Sequence, residues 1–386
     1  MNNVLVNIVG DQPISCILFT VNTFTVKIDH YIFVTTELME RKHKTQCIID
    51  ALGLPEGVYS RIEIPHDDPY QIARILSDSG LLQRASHCLV NITSGTKVMA
   101  AAIYAFFTQL SFSSRSEVFY KPINDNQFHK IFPFQQENKN EISFRISLKM
   151  YLTSYGVSML QLTNARSLVR TEAYTQQFYA DFLSFEKAQH THFIKQMGEI
   201  RRMYNNNRHR LSFIFMMDDA MQAAFQTIPY QPLQEGQLTL REMQYLIGGW
   251  LEEWAFAQIK RALELPEGAI ACQVKIGRIN ALGEEVPNEC DVLFMYNNTL
   301  YLVECKTGFG EVKRPFFEEA IYKLAVLRKE MGMRVEAVLL MLSSLSEKER
   351  KRQPYLNRAS LHRIKLYDRA AIREEWPQWL QELRRD

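Results

Sequence analysis

The chain has 386 residues, more than one ordinary hydrophobic core organises, so two or three domains are expected. Hydrophobic residues make up 46% and charged residues 23%, a globular composition, and no apolar run approaches the ~20 residues of a membrane-spanning helix. A formal charge of +2 averages over domains and neither demands nor excludes a nucleic-acid partner.

The first residues, MNNVLVNIVGDQPIS, lack the basic start and long apolar stretch of a secretion signal, so a cytoplasmic protein with no membrane contact is expected. Cys16, Cys47, Cys88, Cys272, Cys290 and Cys305 form no C-x-x-C pair. That argues against a zinc site and a disulfide framework.

Up to about residue 121, the runs VLVNIV, YIFVTT, RIEIP, CLVNIT and EVFYKP alternate with helical patterns such as 67–83 and 95–110. Strict alternation predicts a parallel, doubly wound sheet, which binds ligands at the carboxyl ends of its strands. The run 88–93 leads into Ser94-Gly95-Thr96-Lys97 and a helix, placing small hydroxyls, a glycine and a lysine where free N–H groups suit an anion. An ordinary helix cap accounts for the same residues, and the stretch falls short of a P-loop.

Residues 122–140 are polar and aperiodic and read as a linker. From 143 to 235 the pattern is helical, with a break at Gly156 and the basic, Asn-rich stretch RRMYNNNRHR at 201–210. A winged-helix-like module that touches DNA fits, with Arg201 and Arg202 as phosphate contacts, and so does a helical scaffold with a solvated basic face. From Gly248 onward the order is helix, strand, hairpin, helix and strand, a mixed α/β domain.

That domain carries the chemistry. A two-residue turn at Asn297-Asn298 sets Met295 opposite Leu300, Leu293 opposite Leu302 and Asp291 opposite Glu304. Lys306 projects on the face of Glu304, so two carboxylates and an ammonium converge. Opposed carboxylates with Cβ atoms ~4.5–5.5 Å apart repel unless a cation lies between them, and oxygen ligands suit Mn²⁺ or Mg²⁺. A metal on Asp291 and Glu304 suits phosphodiester hydrolysis, with Lys306 orienting water or stabilising developing charge. A salt-bridge cluster is the competing explanation. A further acid is expected on the preceding helix, where Glu252 and Glu253 are both candidates that periodicity does not separate.

The motifs G-G-W-L-E (248–252), N-E-C-D-V (288–292), L-V-E-C-K-T (302–307) and Y-K-L (322–324), with D-Q-P-I-S (11–15), T-T (35–36) and N-I-T-S-G-T-K-V-M (91–99), resemble the CRISPR ancillary nucleases in which a CARF domain controls a PD-(D/E)xK, restriction-endonuclease-like domain. Ser94 departs from the glycine that family often carries. The resemblance implies a Rossmann-like CARF domain over 1–135, a helical, winged-helix-like region over 136–238 and a nuclease over 239–386. It favours Glu252 beside Asp291 and Glu304 as metal ligands, with Lys306 catalytic. It implies a ligand site of Gln12, Ser15, Thr36, Asn91, Thr93, Ser94, Gly95, Thr96 and Lys97 for a cyclic oligoadenylate, most often cyclic tetra-adenylate, made in type III CRISPR defence. It further implies a homodimer acting on single-stranded DNA or RNA, with nicking of duplex DNA in some members. A non-catalytic CARF sensor or transcriptional regulator, and a stand-alone restriction or repair nuclease, remain the alternatives.

Overall fold

The computed structural model describes residues 2–385 apart from 23–25, 124, 135–138, 165–166, 185–186, 211, 226–229, 280–282, 309–313 and 346–348. The chain forms two compact units. One comprises Met1–Met159 with Gly277–Val286 and Met331–Arg334; the other holds Leu160–Ile276, Pro287–Glu330 and Val335–Asp386.

The first unit is built on β1 (Asn2–Ile8), β2 (His30–Thr35), β3 (Tyr59–Glu63), β4 (Ala85–Asn91), β5 (Ser116–Tyr120), β6 (Gln127–Phe132) and β7 (Lys139–Glu141). The order is β3-β2-β1-β4-β5-β6-β7, with the first five strands parallel. Val4, Leu5, Val6 and Ile8 of β1 are buried, as in a strand covered on both faces, with Asn7 buried among them. The helix Lys97–Thr108 buries Met99, Ile103, Phe106 and Phe107 in the core with Val6, Val34 and Val90.

The segment read as a linker instead extends this sheet: β6 runs antiparallel to β5, and β7 to β6. Its polar composition is that of a sheet margin, where Phe128 is fully buried while its neighbours in β6 stay partly exposed. Gly156, at φ +73°, does end the helix Leu148–Ser154. The next element is β8 (Val157–Thr163), a strand rather than a resumed helix.

The second unit holds a short ladder of β9 (Ile214–Met216) and β10 (Gln237–Thr239), then β11 (Ile270–Ile279), β12 (Glu285–Tyr296), β13 (Thr299–Lys306), β14 (Val335–Met341) and β15 (Ile364–Tyr367). Its main sheet runs β15-β14-β13-β12-β11-β8. β12 and β13 form the expected hairpin, with Asn297 and Asn298 at φ +46° and +59° and Met295 paired with Leu300. β14 joins β13 in parallel, aligning Leu339 with Glu304.

Residues 160–238 do not stand apart as a third unit. Phe178, Tyr179 and Phe182 of the helix Glu172–Ser184 share one core with Trp250 and Trp254 of the helix Trp250–Ala262. Tyr179 stacks on Trp254 at 4.1 Å, and Phe182 lies 4.9 Å from Trp250. Aromatic burial of this size holds the segment to the second sheet. The six cysteines are free thiols, all buried except the half-buried Cys47.

Candidate active site

Alternation along the hairpin sends Val292 and Phe294 into the second core and turns Asp291, midway along β12, to the opposite face, 8% exposed. Its Oδ2 accepts the backbone N–H of Cys305 at 2.7 Å. Glu304, 1% exposed, sits where β13 ends. Lys306 Nζ donates to Glu304 Oε1 at 2.5 Å, and Lys323, from the helix Arg314–Glu330, donates to both Glu304 oxygens at 2.9 and 2.7 Å. Lys323 was not singled out from the sequence, although its Y-K-L triplet was; its spacing to Glu304 across a loop carries no local signal.

Glu252 and Glu253 separate by what they touch. Glu253 accepts the N–H groups of Val169 at 2.8 Å and Arg170 at 3.4 Å, so it satisfies a chain turn. Burial pushes it up to about 7 against those bonds. Glu252 faces the other acids: burial first and the Asp291 charge second push it well above the usual carboxylate range, while the Gln273 amide pulls the other way. Asp291 is raised to about 7, by burial first and by Glu304 next, with Lys306 and Lys323 opposing. Burial works against the charge of Lys306, but Glu304 and Asp291 outweigh it and hold the ammonium above its ordinary value.

Two further features shape this corner. Gln273 has φ +51° within β11, a left-handed conformation that costs a non-glycine residue roughly 1 kcal/mol or more. A Cβ on Gly249 would stand 3.0 Å from the Gln273 amide nitrogen, so the glycine gives the amide room. Gly249 follows a kink at Gly248, whose backbone leaves the helical region at φ 166° just ahead of the helix Trp250–Ala262.

The acids are hard oxygen donors of the kind that suits Mn²⁺ or Mg²⁺, and three of them face only two lysines. Burial and mutual repulsion push Glu252 and Asp291 toward their neutral forms, and a cation among them would favour the ionised forms instead. Among the described residues, no three His, Cys, Asp or Glu side chains stand ready as a metal cage. The physical reason is visible at Glu304, whose oxygens are both taken by lysine.

The first unit contains a cavity of about 1040 Å³ at the carboxyl ends of its parallel strands. Gln12, Ser15, Thr36, Thr93, Ser94, Gly95 and Thr96 line it. The loop is held by close backbone packing: Gly95 has φ +84°, and a Cβ on Gly10 would meet the Gly95 nitrogen at 2.8 Å. Ser15 and Ser94 hydroxyls lie 2.7 Å apart, which gives Ser94 a role in the loop where glycine was the family expectation. Thr96 caps the following helix by accepting the Met99 N–H at 3.1 Å.

Two residues of the expected ligand site, Asn91 and Lys97, do not line this cavity. Asn91 is fully buried below the cavity, donating to Asn7 Oδ1 at 2.9 Å and accepting from the Thr93 hydroxyl at 2.6 Å, so it positions the loop. Lys97 is exposed on the first helical turn and does not line the cavity. The cations that do line it include Lys121 and Arg334. Burial first, and Arg334 second, lower Lys121 to about 8. Sequence reading missed both, since Lys121 lies just past β5 and Arg334 comes from a distant loop. Arg201 donates to the Ile247 carbonyl at 3.1 Å, and Arg202 is exposed.

Two family models match the chain. Residues 4–151 match the Card1 CARF domain family, and residues 240–374 match the family of Card1-like endonuclease domains. No curated protein sequence matches the chain. The fold resembles that of protein VC1899 from Vibrio cholerae, with a TM-score of 0.71 at 18% identity over 99% of this chain and 96% of that one. It also resembles Can2 from Sulfobacillus thermosulfidooxidans, solved with cyclic tetra-adenylate, with a TM-score of 0.69 at 17% identity over 98% and 99% of the two chains. A type III CRISPR defence DNA nuclease activated by cyclic oligoadenylate aligns over 88% of this chain and 45% of its own, with a TM-score of 0.51 at 14% identity. With a Card1-type CARF domain ahead of a Card1-like endonuclease domain, the chain belongs to the CARF-domain CRISPR ancillary nucleases.

Proposed function

We propose that this protein is a metal-dependent endonuclease switched on by a cyclic oligoadenylate, with cyclic tetra-adenylate the first candidate. The observation that carries the reading is the gathering of three buried acids, Glu252, Asp291 and Glu304, beside Lys306 and Lys323 in the second unit, on a chain that also holds a strand-end cavity. A purely structural cluster has no need to crowd acids that repel one another until Glu252 and Asp291 are driven toward neutrality, whereas a cation makes use of all three. An endonuclease domain and a neighbour solved with cyclic tetra-adenylate support both halves.

Asp291 and Glu252 would hold Mn²⁺ or Mg²⁺, with Glu304 joining as its lysine contacts loosen. Such an ion, when bound, polarises the phosphate and lowers the pKa of a bound water. Lys306 stays charged beside Glu304 and is placed to orient the attacking water and to stabilise the charge developing on phosphorus-bound oxygen. Lys323 holds the Glu304 carboxylate in place. In the cavity, Gln12, Ser15, Thr36 and the loop 93–96 offer hydroxyl, amide and N–H partners to phosphate and base, and Lys121 and Arg334 supply positive charge. A cyclic ligand with internal symmetry fits a two-fold axis, so we assign the active form as a homodimer. Substrates of this reading are single-stranded DNA or RNA, with nicked duplex as a further target, cleaved in type III CRISPR defence. No helix among the described residues is long and apolar enough to cross a membrane, and we place the protein in the cytoplasm.

The test combines purified protein, Mn²⁺, labelled single-stranded DNA or RNA and cyclic oligoadenylates of several ring sizes. Cleavage only when activator and metal are both present is expected. Equal cleavage without activator removes the gating, and no cleavage under any combination removes the nuclease.

A further inference from the structure

A second concavity, of about 390 Å³, lies in the second unit beside the carboxylates. Three strands furnish its floor: Thr163 of β8, Gln273 and Lys275 of β11, and Glu289 of β12, two residues before Asp291 and therefore on its side of the strand. Thr163 Oγ1 donates to Gln273 Oε1 at 3.3 Å, joining β8 to β11 across the floor. Its wall is the C-terminal turn of the helix Lys187–Asn207, which contributes Tyr204 and, just beyond the helix, Arg208. Tyr204 is half-buried against the second core, so its ring is fixed by packing, and the charges of Glu289 and Glu252 both reach its hydroxyl. Arg208 and Lys275 are exposed cations at the same opening.

A packed aromatic ring with two cations and four amide or hydroxyl groups, Gln161, Thr163, Gln244 and Gln273, set beside the Glu289 carboxylate at the edge of a phosphodiester-cleaving site, suits an unpaired nucleotide: the ring stacks on the base and the cations take its phosphates. The volume sits at the lower end of the ~300–1,000 Å³ of small-ligand sites, room for one nucleotide and not for a paired duplex. We infer that this cleft is a substrate subsite holding a single unpaired nucleotide next to the scissile phosphate, with its base on Tyr204 and its phosphates at Arg208 and Lys275. The inference rests on the nuclease reading of the second unit. It also gives the middle helices a part in substrate binding, because they wall the substrate path through Tyr204 and Arg208, not through Arg201 and Arg202.

The test uses the activated full-length protein with Mn²⁺ and a labelled single-stranded DNA oligonucleotide, reading KM and kcat separately. Tyr204→Leu keeps apolar bulk but removes the π-face, and it should raise KM about tenfold or more with kcat changed far less. Tyr204→Phe should stay within about twofold of the unaltered protein. Arg208→Gln and Lys275→Gln should each raise KM and flatten its dependence on salt. A base-paired substrate should be cut with a lower kcat/KM than the same strand unpaired, and that difference should shrink in Tyr204→Leu. If the unaltered protein cleaves while Tyr204→Leu, Arg208→Gln and Lys275→Gln all leave KM and its salt dependence unchanged, the subsite is overturned and the nuclease reading stands. If the unaltered protein cleaves nothing, the nuclease reading itself fails. Should Tyr204→Leu unfold, the Tyr204→Phe and Lys275→Gln results decide: a tenfold loss in the first or an unchanged KM in the second overturns the assignment.

Discussion

The backbone N–H of Met333 donates to the side-chain oxygen of Gln12 at 3.1 Å, and the Tyr155 hydroxyl donates to that same oxygen at 2.8 Å. Gln12 lines the cavity, and the Met331–Arg334 loop that meets it is followed directly by β14, the strand that aligns with Glu304. A ligand that changes the partners of Gln12 therefore acts on the loop that begins β14. Gln12→Ala removes two acceptor contacts, each worth about 1 kcal/mol, so the activator concentration for half-maximal cleavage should rise by up to about thirtyfold. Cleavage at saturating activator should recover. A ligand titration of cleavage rate decides; an unchanged midpoint takes Gln12 out of the coupling.

Charge in the cavity predicts a pH dependence. Lys121 is lowered from 10.5 to about 8 by burial first and Arg334 second. An anionic ligand binds the charged form, so affinity holds below pH 8 and falls as pH rises above it, by up to about tenfold per unit for the one proton involved. Lys121→Met should bind more weakly throughout and show a flat profile between pH 7 and 9. Lys97→Ala, altering a residue outside the lining, should weaken binding less than Arg334→Ala. Direct binding of cyclic tetra-adenylate across pH checks both statements, and a larger loss in Lys97→Ala would return that residue to the site.

The acid cluster makes a prediction about metal. Asp291 is raised from 3.8 to about 7, so its protonated form favours the folded state below 3.8 and that stability is lost as pH rises through 7. A cation reverses the penalty by binding the ionised form. Mn²⁺ should therefore raise the unfolding temperature by several degrees at pH 8 and by less at pH 6. Asp291→Asn should be more stable than the unaltered protein at pH 8 without metal and gain little from Mn²⁺. Equal metal stabilisation of both proteins at pH 8 would move the metal away from Asp291.

Legibility in the sequence tracks interaction range. The hairpin register came out of one dipeptide, because Asn297 and Asn298 tolerate the positive φ of a tight turn and the strands then alternate by necessity. The parallel sheet was equally plain in the strict alternation of strand and helix patterns. Lys323, Gln273, Lys121 and Arg334 were not legible, since each reaches its site through tertiary packing with no fixed spacing to it. The 122–140 stretch misled because a marginal strand buries little and composes itself like a loop; Phe128, flanked by polar residues, was the one signal.

The two adjacent glutamates of the helix Trp250–Ala262 provide the sharpest separation of chemistry from structure. Glu252 is pushed up by burial and by the Asp291 charge and is answered by the Gln273 side chain, while Glu253 accepts the N–H groups of Val169 and Arg170. Glu252→Gln removes a repelling charge and keeps the shape, so its unfolding temperature should hold or rise. Its metal-dependent cleavage should fall by about a hundredfold or more, since the loss touches the metal and the transition state. Glu253→Gln keeps one acceptor oxygen but weakens the hold on the 169–170 turn, at a cost of roughly 1–3 kcal/mol. It should unfold at lower temperature, yet the folded fraction should cleave at the ordinary rate with an ordinary Mn²⁺ midpoint. Thermal unfolding, metal titration and single-turnover cleavage on both variants give the answer. The assignment of Glu252 to catalysis is sunk if Glu253→Gln loses cleavage while staying fully folded and Glu252→Gln retains it.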